Sequence, residues 1–166
     1  MDVSFKENRA QQKALDEARK LLKSTQVEVG LPESAPARSR WLLALHERGA
    51  PGAHIPPRPV VGPALAKEET QAAVADGLLS ACDAASKGDP EGVLSGFEEA
   101  GQAGADGIRA YIDSHIPPPN SPATVNGGWI WNRAAKKAAY VKGKGFNKPL
   151  FDTGALYVAF GYEIEE

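Results

Sequence analysis

Residues 89–112 read DPEGVLSGFEEAGQAGADGIRAYI and predict a long helix with one crowded face. Asp89 is a favourable N-cap, Pro90 occupies the preferred first helical position, and Glu91 complements the positive end of the helix dipole. Apolar residues and glycines recur at three- and four-residue steps, at Leu94, Phe97, Gly101, Gly104, Ile108 and Ile112. Each mid-stripe glycine costs about 1 kcal/mol against alanine, so we expect another helix or a sheet to pack closely there.

Shorter elements on either side complete an α+β pattern. We expect an amphipathic helix over residues 7–23, an alternating strand over residues 26–31 and a second helix over residues 64–86. Near the C terminus a period of two predicts a terminal strand with one buried face, formed by Leu156, Val158, Phe160, Tyr162 and Ile164. We therefore predict one α+β domain over residues 26–166, with helices packed on a small, mostly antiparallel sheet, and residues 1–25 as an added helix.

The composition is that of an ordinary soluble domain. The chain has 166 residues and a formal net charge of -2, which suit one domain and argue against a generally basic nucleic-acid binder. Cys82 is the single cysteine, so we expect no disulfide or cysteine-rich metal site, and its place in a helical pattern predicts a buried thiol. His46, His54 and His115 lack ligand-like spacing. No signal peptide, membrane span, metal or cofactor is expected, and the predicted setting is reducing and soluble.

A proline-rich segment, residues 55–63, reads IPPRPVVGP. Prolines at this density exclude a helix interior and a central strand. We expect this segment, called here the proline arm, to run extended over the surface.

Residues 150–155 read LFDTGA and match the active-site loop of retroviral-type aspartic proteases. In those enzymes the aspartate shares a proton with its partner's carboxylate and activates water. Such a protease needs chain after this loop for a flap and bracing strands, whereas twelve residues follow Gly154. The alternative is a structural turn, in which Asp152 and Thr153 bond neighbouring amides and Gly154 adopts a φ that other residues avoid. We favour the turn.

A long basic loop is expected over residues 133–148, which hold no acidic residue and six basic ones: Arg133, Lys136, Lys137, Lys142, Lys144 and Lys148. Trp129, Trp131, Tyr140 and Phe146 interleave with them, a pattern typical of nucleic-acid sites that track a backbone or a single strand. The alternative is a β-hairpin with core tryptophans and an exposed cationic edge. We favour the hairpin, because charge runs are usually solvated faces.

Three segments in chain order resemble the tail-completion, or virion-morphogenesis, proteins of tailed bacteriophages. The first is HIPPRP at 54–59 with PAL at 63–65, and the second is the long helix with its IPP stop at 116–118. The last begins KPLFDTGAL at 148–156 and closes with GYEI at 161–164. The resemblance covers roughly residues 26–166.

The chain departs from the family pattern at several positions. Val60 and Val61 replace the usual phenylalanine and leucine, and Gly62 replaces a common arginine. The segment 124–148 is longer than usual, and Val158-Ala159 stands where serine and isoleucine are common. These departures bear on the partner-facing surface.

The resemblance implies a structural, non-enzymatic protein of the virion neck. Such a subunit assembles in the host cytoplasm as a ring around the DNA channel, between the connector and the tail tube, and takes part in head–tail joining. A sixfold ring is the first expectation, and a twelvefold ring would fit closer to the portal. The implied partners are other copies of the chain, connector or head-closure proteins, the tail terminator and tail tube, with non-specific contact to channel DNA. A tail-terminator ring is the alternative in the same setting, and a DNA-contacting module or an aspartic protease are the alternatives from other classes.

Ring closure requires two different faces of each copy to meet. A proline-rich segment loses little entropy on docking, so the expected subunit contacts lie in the proline arm, at Ile55, Pro57, Arg58 and Pro59. The turn of Asp152, Thr153 and Gly154 is expected to fix the entry of the last strand. The basic loop would face either the DNA lumen or an acidic neighbouring ring.

Overall fold

A computed structural model describes residues 2–114, 116–132 and 136–165 of the chain. These ranges hold seven α-helices: α1 (Asp2–Ser24), α2 (Ala37–Arg48), α3 (Val61–Leu65), α4 (Glu68–Lys87), α5 (Pro90–Asp113), α6 (Pro122–Asn126) and α7 (Ala155–Ala159). A 3-10 turn covers Pro51–Ala53. The strands are β1 (Gln26–Gly30), β2 (Gly127–Asn132), β3 (Lys137–Lys142) and β4 (Gly161–Glu165). The predicted α+β class is confirmed.

Helix α5 lies at the centre of the fold, and its N terminus is capped as predicted. The Asp89 carboxylate accepts a hydrogen bond of 3.0 Å from the Gly92 amide. The close packing expected at the mid-stripe glycines is confirmed, because a Cβ atom at Gly101 would lie 2.5 Å from the Tyr162 ring and one at Gly104 would lie 2.9 Å from Val29. These two neighbours belong to β4 and β1.

Two antiparallel pairs form separate sheets in the described ranges. Strand β1 pairs with β4, with Val27 opposite Ile164 and Val29 opposite Tyr162, and this sheet packs on α5. Strand β2 pairs with β3 as a hairpin. Only the first sheet therefore covers the central helix.

Two hydrophobic cores lie along α5. The first contains Val60, Ala64, Ile108, Ile112, Ile116, Leu156 and Phe160. The second contains Ala18, Ala81, Ala84, Ala85, Val93 and Phe97. Because Ala18 belongs to α1, the helix predicted as an addition packs on the same body as the rest of the chain.

The predicted terminal strand is wrong over residues 156–160 and confirmed over residues 161–165. Residues 155–159 form α7, in which Leu156 is buried and Val158 is 72% exposed, and Phe160 directly after the helix is buried as well. A spacing of four fits one side of a helical turn as well as one face of a strand. The alternation therefore could not distinguish the two.

The helix predicted over residues 64–86 is divided. Helix α3 begins at Val61 and ends at Leu65, and α4 begins at Glu68, so residues 61–63 of the proline arm are helical and not extended. Pro63 lies in the first turn of α3, where its missing N–H is not needed. The buried face of α4 is formed by Gly77, Ala81 and Ala84, which leaves Cys82 exposed, contrary to the predicted buried thiol. No helix in the described ranges is long and apolar enough to cross a membrane.

Candidate functional site: a cationic cavity and an aromatic hairpin

The three segments that carry the family resemblance meet at one cavity of about 750 Å3. The proline arm supplies Ile55, Pro56 and Arg58, and the segment after α5 supplies Pro118 and Pro119. The turn at 150–156 forms a third wall, and α2 adds Arg38, Leu42 and His46. Residues remote in sequence therefore share one site, called here the cavity.

Arg58 joins two of these walls. Its side chain is 6% exposed, and its Nε and Nη2 atoms donate to the carbonyl oxygens of Pro118 and Pro119 at 2.8 and 3.1 Å. The predicted subunit contact through Arg58 needs correction, because this guanidinium is engaged inside the chain. Pro57 and Pro59 on either side of it are exposed, and Ile55 is half-buried.

Helix α2 fixes the position of the proline arm. The Arg58 amide donates to the His46 carbonyl at 2.7 Å. The Glu47 carboxylate accepts from the Val60 and Val61 amides at 2.8 and 3.1 Å, at the start of α3. Two consecutive residues of α2 thus hold three backbone amides of the arm.

Positive groups dominate the polar side of the cavity. Burial lowers the pKa of His46, and the charges of Arg58 and Lys144 lower it further. Burial also lowers the pKa of Lys144, with a further decrease from Arg58, while the carboxylate of Asp152 acts in the opposite direction. These groups therefore lie close enough to influence one another.

Two buried polar atoms at the cavity lack a hydrogen-bond partner among the described residues. They are Nδ1 of His46 and Nδ2 of Asn120. Sequence reasoning missed both, because His46 was considered only as a metal ligand and Asn120 carried no motif. His115, considered in the same way, lies outside the described residues.

The predicted turn at residues 152–154 is present in its main features. Gly154 has a φ of 81°, and the Thr153 hydroxyl accepts from the Ala155 amide at 3.3 Å. The turn leads into α7 instead of directly into the last strand, which corrects its predicted role. Residues 155–165 form α7 and β4 and do not make a flap over the exposed Asp152.

The predicted basic loop is largely a hairpin, called here the aromatic hairpin and formed by β2 and β3. Trp129 lies opposite Tyr140 with ring centroids 5.8 Å apart. The hairpin interpretation is supported, but the expectation of core tryptophans is wrong, because Trp129 is 74% and Trp131 is 66% exposed. The hairpin meets the body mainly through α6 at its base, so within the described ranges no core surface covers its rings.

The basic residues of this segment fall into two groups. Lys136, Lys137 and Lys142 are exposed on the aromatic hairpin, and Arg133 lies outside the described residues. Lys144 and Lys148 lie at the base, where Lys144 Nζ donates to the Lys148 carbonyl at 3.1 Å. These two are partly buried, and Lys144 lines the cavity. The contact with DNA or an acidic partner predicted for the whole set stays a prediction.

Lys148 has an internal role. Its Nζ donates to Asp113 at 2.5 Å and lies 4.4 Å from the ring centroid of Phe151. Tyr157 donates to the other oxygen of Asp113 at 3.0 Å, and this hydrogen bond is the main cause of the raised pKa of Tyr157. Lys148 therefore ties the turn to the end of α5.

Comparison of the chain with protein-family models, curated proteins and solved structures found no match. The family resemblance stays a prediction from the sequence.

Proposed function

We propose that this chain is a structural subunit of a tailed-bacteriophage neck, acting in tail completion or head–tail joining. It assembles as a ring around the DNA channel between the connector and the tail tube, sixfold by preference, and has no catalytic role. Its partners are copies of itself and the adjoining connector, terminator and tube proteins, and its location is the virion. A tail-terminator ring is the alternative in the same setting.

The aromatic hairpin is the observation that carries this proposal. It exposes Trp129, Trp131 and Tyr140 on a two-stranded unit, and isolated two-stranded sheets are only marginally stable in water. Exposed aromatic clusters of this kind are typical of protein interfaces, where tryptophan and tyrosine supply much of the binding energy. Contact with a partner would both cover these rings and stabilise the hairpin.

A second surface of the same chain complements the hairpin in charge. Residues 68–113 contain ten acidic and two basic residues. On the outer face of α4, Asp76 and Asp83 flank Leu79, which is 65% exposed. An acidic surface with an apolar centre suits a cationic, aromatic partner. Two different complementary faces on one chain favour the head-to-tail contacts from which rings are built.

A DNA-contacting module is the second candidate. Exposed aromatics beside Lys136, Lys137 and Lys142 could stack on bases while the cations follow the phosphates. The acidic surface of α4 and α5 would repel DNA from that side of the molecule. A protein partner is therefore the first assignment for the hairpin.

Substitution of Trp131 by alanine tests the proposal. Truncating an interface anchor costs about 2 kcal/mol or more, which weakens a subunit contact roughly 30-fold. Electron microscopy of particles made with this variant should show heads and tails that fail to join. Trp41→Ala is the matched control, because Trp41 is also highly exposed, at 62%, but belongs to α2 and not to the hairpin.

Three results would count against the ring. Normal particles made with Trp131→Ala would show that the aromatic hairpin is not needed for assembly. A loss of salt-dependent DNA binding with unchanged self-association would favour the DNA module. A lone molecule turning over a substrate outside any virus particle would contradict a structural role altogether.

A further inference from the structure

The polar side of the cavity carries more positive than negative charge among its described lining residues. Arg38, Arg58 and Lys144 line it together with His46, and Asp152 is the acidic side chain among the lining residues. Arg58 and Lys144 both lower the pKa of His46, so the cationic groups act on the same space. Lys144 uses one donor on the Lys148 carbonyl and, as an ammonium group, has two more.

Two residues that line the cavity, His46 and Asn120, each have a buried nitrogen without a hydrogen-bond partner among the described residues, and a rotation of either side chain would turn that nitrogen towards an acceptor in the cavity. Nδ2 of Asn120 is a donor, and Nδ1 of His46 becomes one when that nitrogen is protonated. Both are buried without a partner among the described residues, although most buried polar groups in proteins are hydrogen-bonded. A carboxylate can accept several hydrogen bonds at once and would also neutralise the local positive charge.

Apolar side chains form much of the remaining lining, beside the hydroxyl groups of Ser39, Ser121, Thr124 and Thr153. The apolar side chains include Leu42, Ile55, Leu150, Phe151 and Leu156. The volume of about 750 Å3 lies within the range of about 300–1,000 Å3 for sites that enclose a ligand with an apolar body. A simple ion would fill only the polar side.

We propose that the cavity binds the carboxylate of an acidic side chain within an apolar peptide segment of an adjoining protein. The carboxylate lies among Lys144, His46 and Asn120, and the flanking apolar residues cover the leucine and phenylalanine walls. Pro57 and Pro59, exposed between and beside lining residues of the proline arm, extend the contact surface beyond the cavity. Only the identity of that protein as a neighbouring neck subunit rests on the proposed function.

Binding can be measured by NMR titration of the isolated protein. The probe is a capped tripeptide of leucine, glutamate and leucine, and its glutamine counterpart is the control. The glutamate peptide should shift the side-chain amide signals of Asn120 and the ring signals of His46 in a saturable way. Lys144→Gln should weaken binding about tenfold, as expected for loss of one charge-assisted hydrogen bond. Lys142→Gln removes the same charge from the exposed hairpin and should leave the affinity unchanged.

Three outcomes would overturn the proposal. The first is an absence of shifts at Asn120 and His46, and the second is equal affinity in the Lys144→Gln and Lys142→Gln variants. The third is binding of acetate or phosphate as tight as that of the peptide, which would make the cavity a site for a free small anion. Because the assay needs no ring, its failure leaves the particle-assembly test of the proposed function intact.

Discussion

Substitution of Arg58 by methionine should destabilise the protein by removing the link between the proline arm and the chain after α5. Methionine keeps most of the apolar stem but loses the hydrogen bonds of 2.8 and 3.1 Å to the Pro118 and Pro119 carbonyls. A hydrogen bond involving a charged group contributes about 1.5–3 kcal/mol. The loss of two such bonds would lower the free energy of unfolding by at most about 6 kcal/mol, provided that the two carbonyl groups found no new partner.

Two effects reduce that limit. Pro118 and Pro119 are exposed residues, so their carbonyls can turn to water once the guanidinium is gone. Burial lowers the pKa of Arg58, which means that its charge is held at some desolvation cost that methionine avoids. We therefore expect a loss of about 2–3 kcal/mol, at or below the lower end of the range of about 3–6 kcal/mol for two such bonds.

Thermal and urea unfolding followed by circular dichroism measure this effect. For a chain of this size about 1 kcal/mol corresponds to 2–4 °C, so the expected decrease in Tm is about 4–12 °C. Arg40→Met is the control, because Arg40 is an exposed residue of α2. If the free energy of unfolding of Arg58→Met lies within about 0.5 kcal/mol of that of the control, the hydrogen bonds of Arg58 do not stabilise the attachment of the proline arm.

Two further predictions concern the α4–α5 contact and His46. Gly96→Ala places a Cβ atom 2.4 Å from the backbone nitrogen of Ala81. The overpacking should cost about 1–3 kcal/mol or more, which exceeds the gain of about 1 kcal/mol in helix propensity. The variant should therefore be less stable than the wild type. Gly62→Ala in α3, where a Cβ atom meets nothing within 4 Å, should be neutral or stabilising, and equal melting temperatures for the two variants would contradict the close helix contact. For His46, burial lowers the pKa in the folded state below the ordinary histidine value of 6.5. Below pH 6.5 the unfolded chain therefore binds more protons than the folded chain. The contribution of His46 to stability is full above pH 6.5 and is lost as the pH falls through the folded pKa. Between pH 7 and pH 5, the free energy of unfolding in urea should therefore decrease less for His46→Gln than for the wild type. The variant His54→Gln, at an exposed histidine, should show the same decrease as the wild type. Identical decreases in all three proteins would show that His46 is not held neutral.

Features set by neighbouring residues could be predicted from the sequence. The N-cap at Asp89 and the close approach at Gly101 and Gly104 depend on α5 itself and on the shape of its surface. The start of the last strand was missed, because Leu156 and Phe160 fit a helical turn and a strand equally well. The local sequence pattern predicts which residues are buried, but over a few residues it does not distinguish a helical turn from a strand.

The candidate site depended on contacts that local pattern does not encode. Arg58 and Pro118 are 60 residues apart, and nothing near Arg58 indicates that its guanidinium turns inward. Trp129 and Trp131 were expected in a core because they are apolar, but burial also requires a second surface, and the hairpin has little contact with one. The convergence of α2, the arm and the turn on one cavity could be recognised only in three dimensions.

The attachment of the proline arm to α2 has a mechanical consequence. The backbone amides of Arg58, Val60 and Val61 are hydrogen-bonded to His46 and Glu47. Pro57, just before these positions, and Pro59, between two of them, are exposed. A load applied to these exposed prolines would pass through the hydrogen bonds directly into α2. A displacement of the proline arm would thereby move the wall of the cavity at His46, and it would change the contacts of any group bound in the cavity.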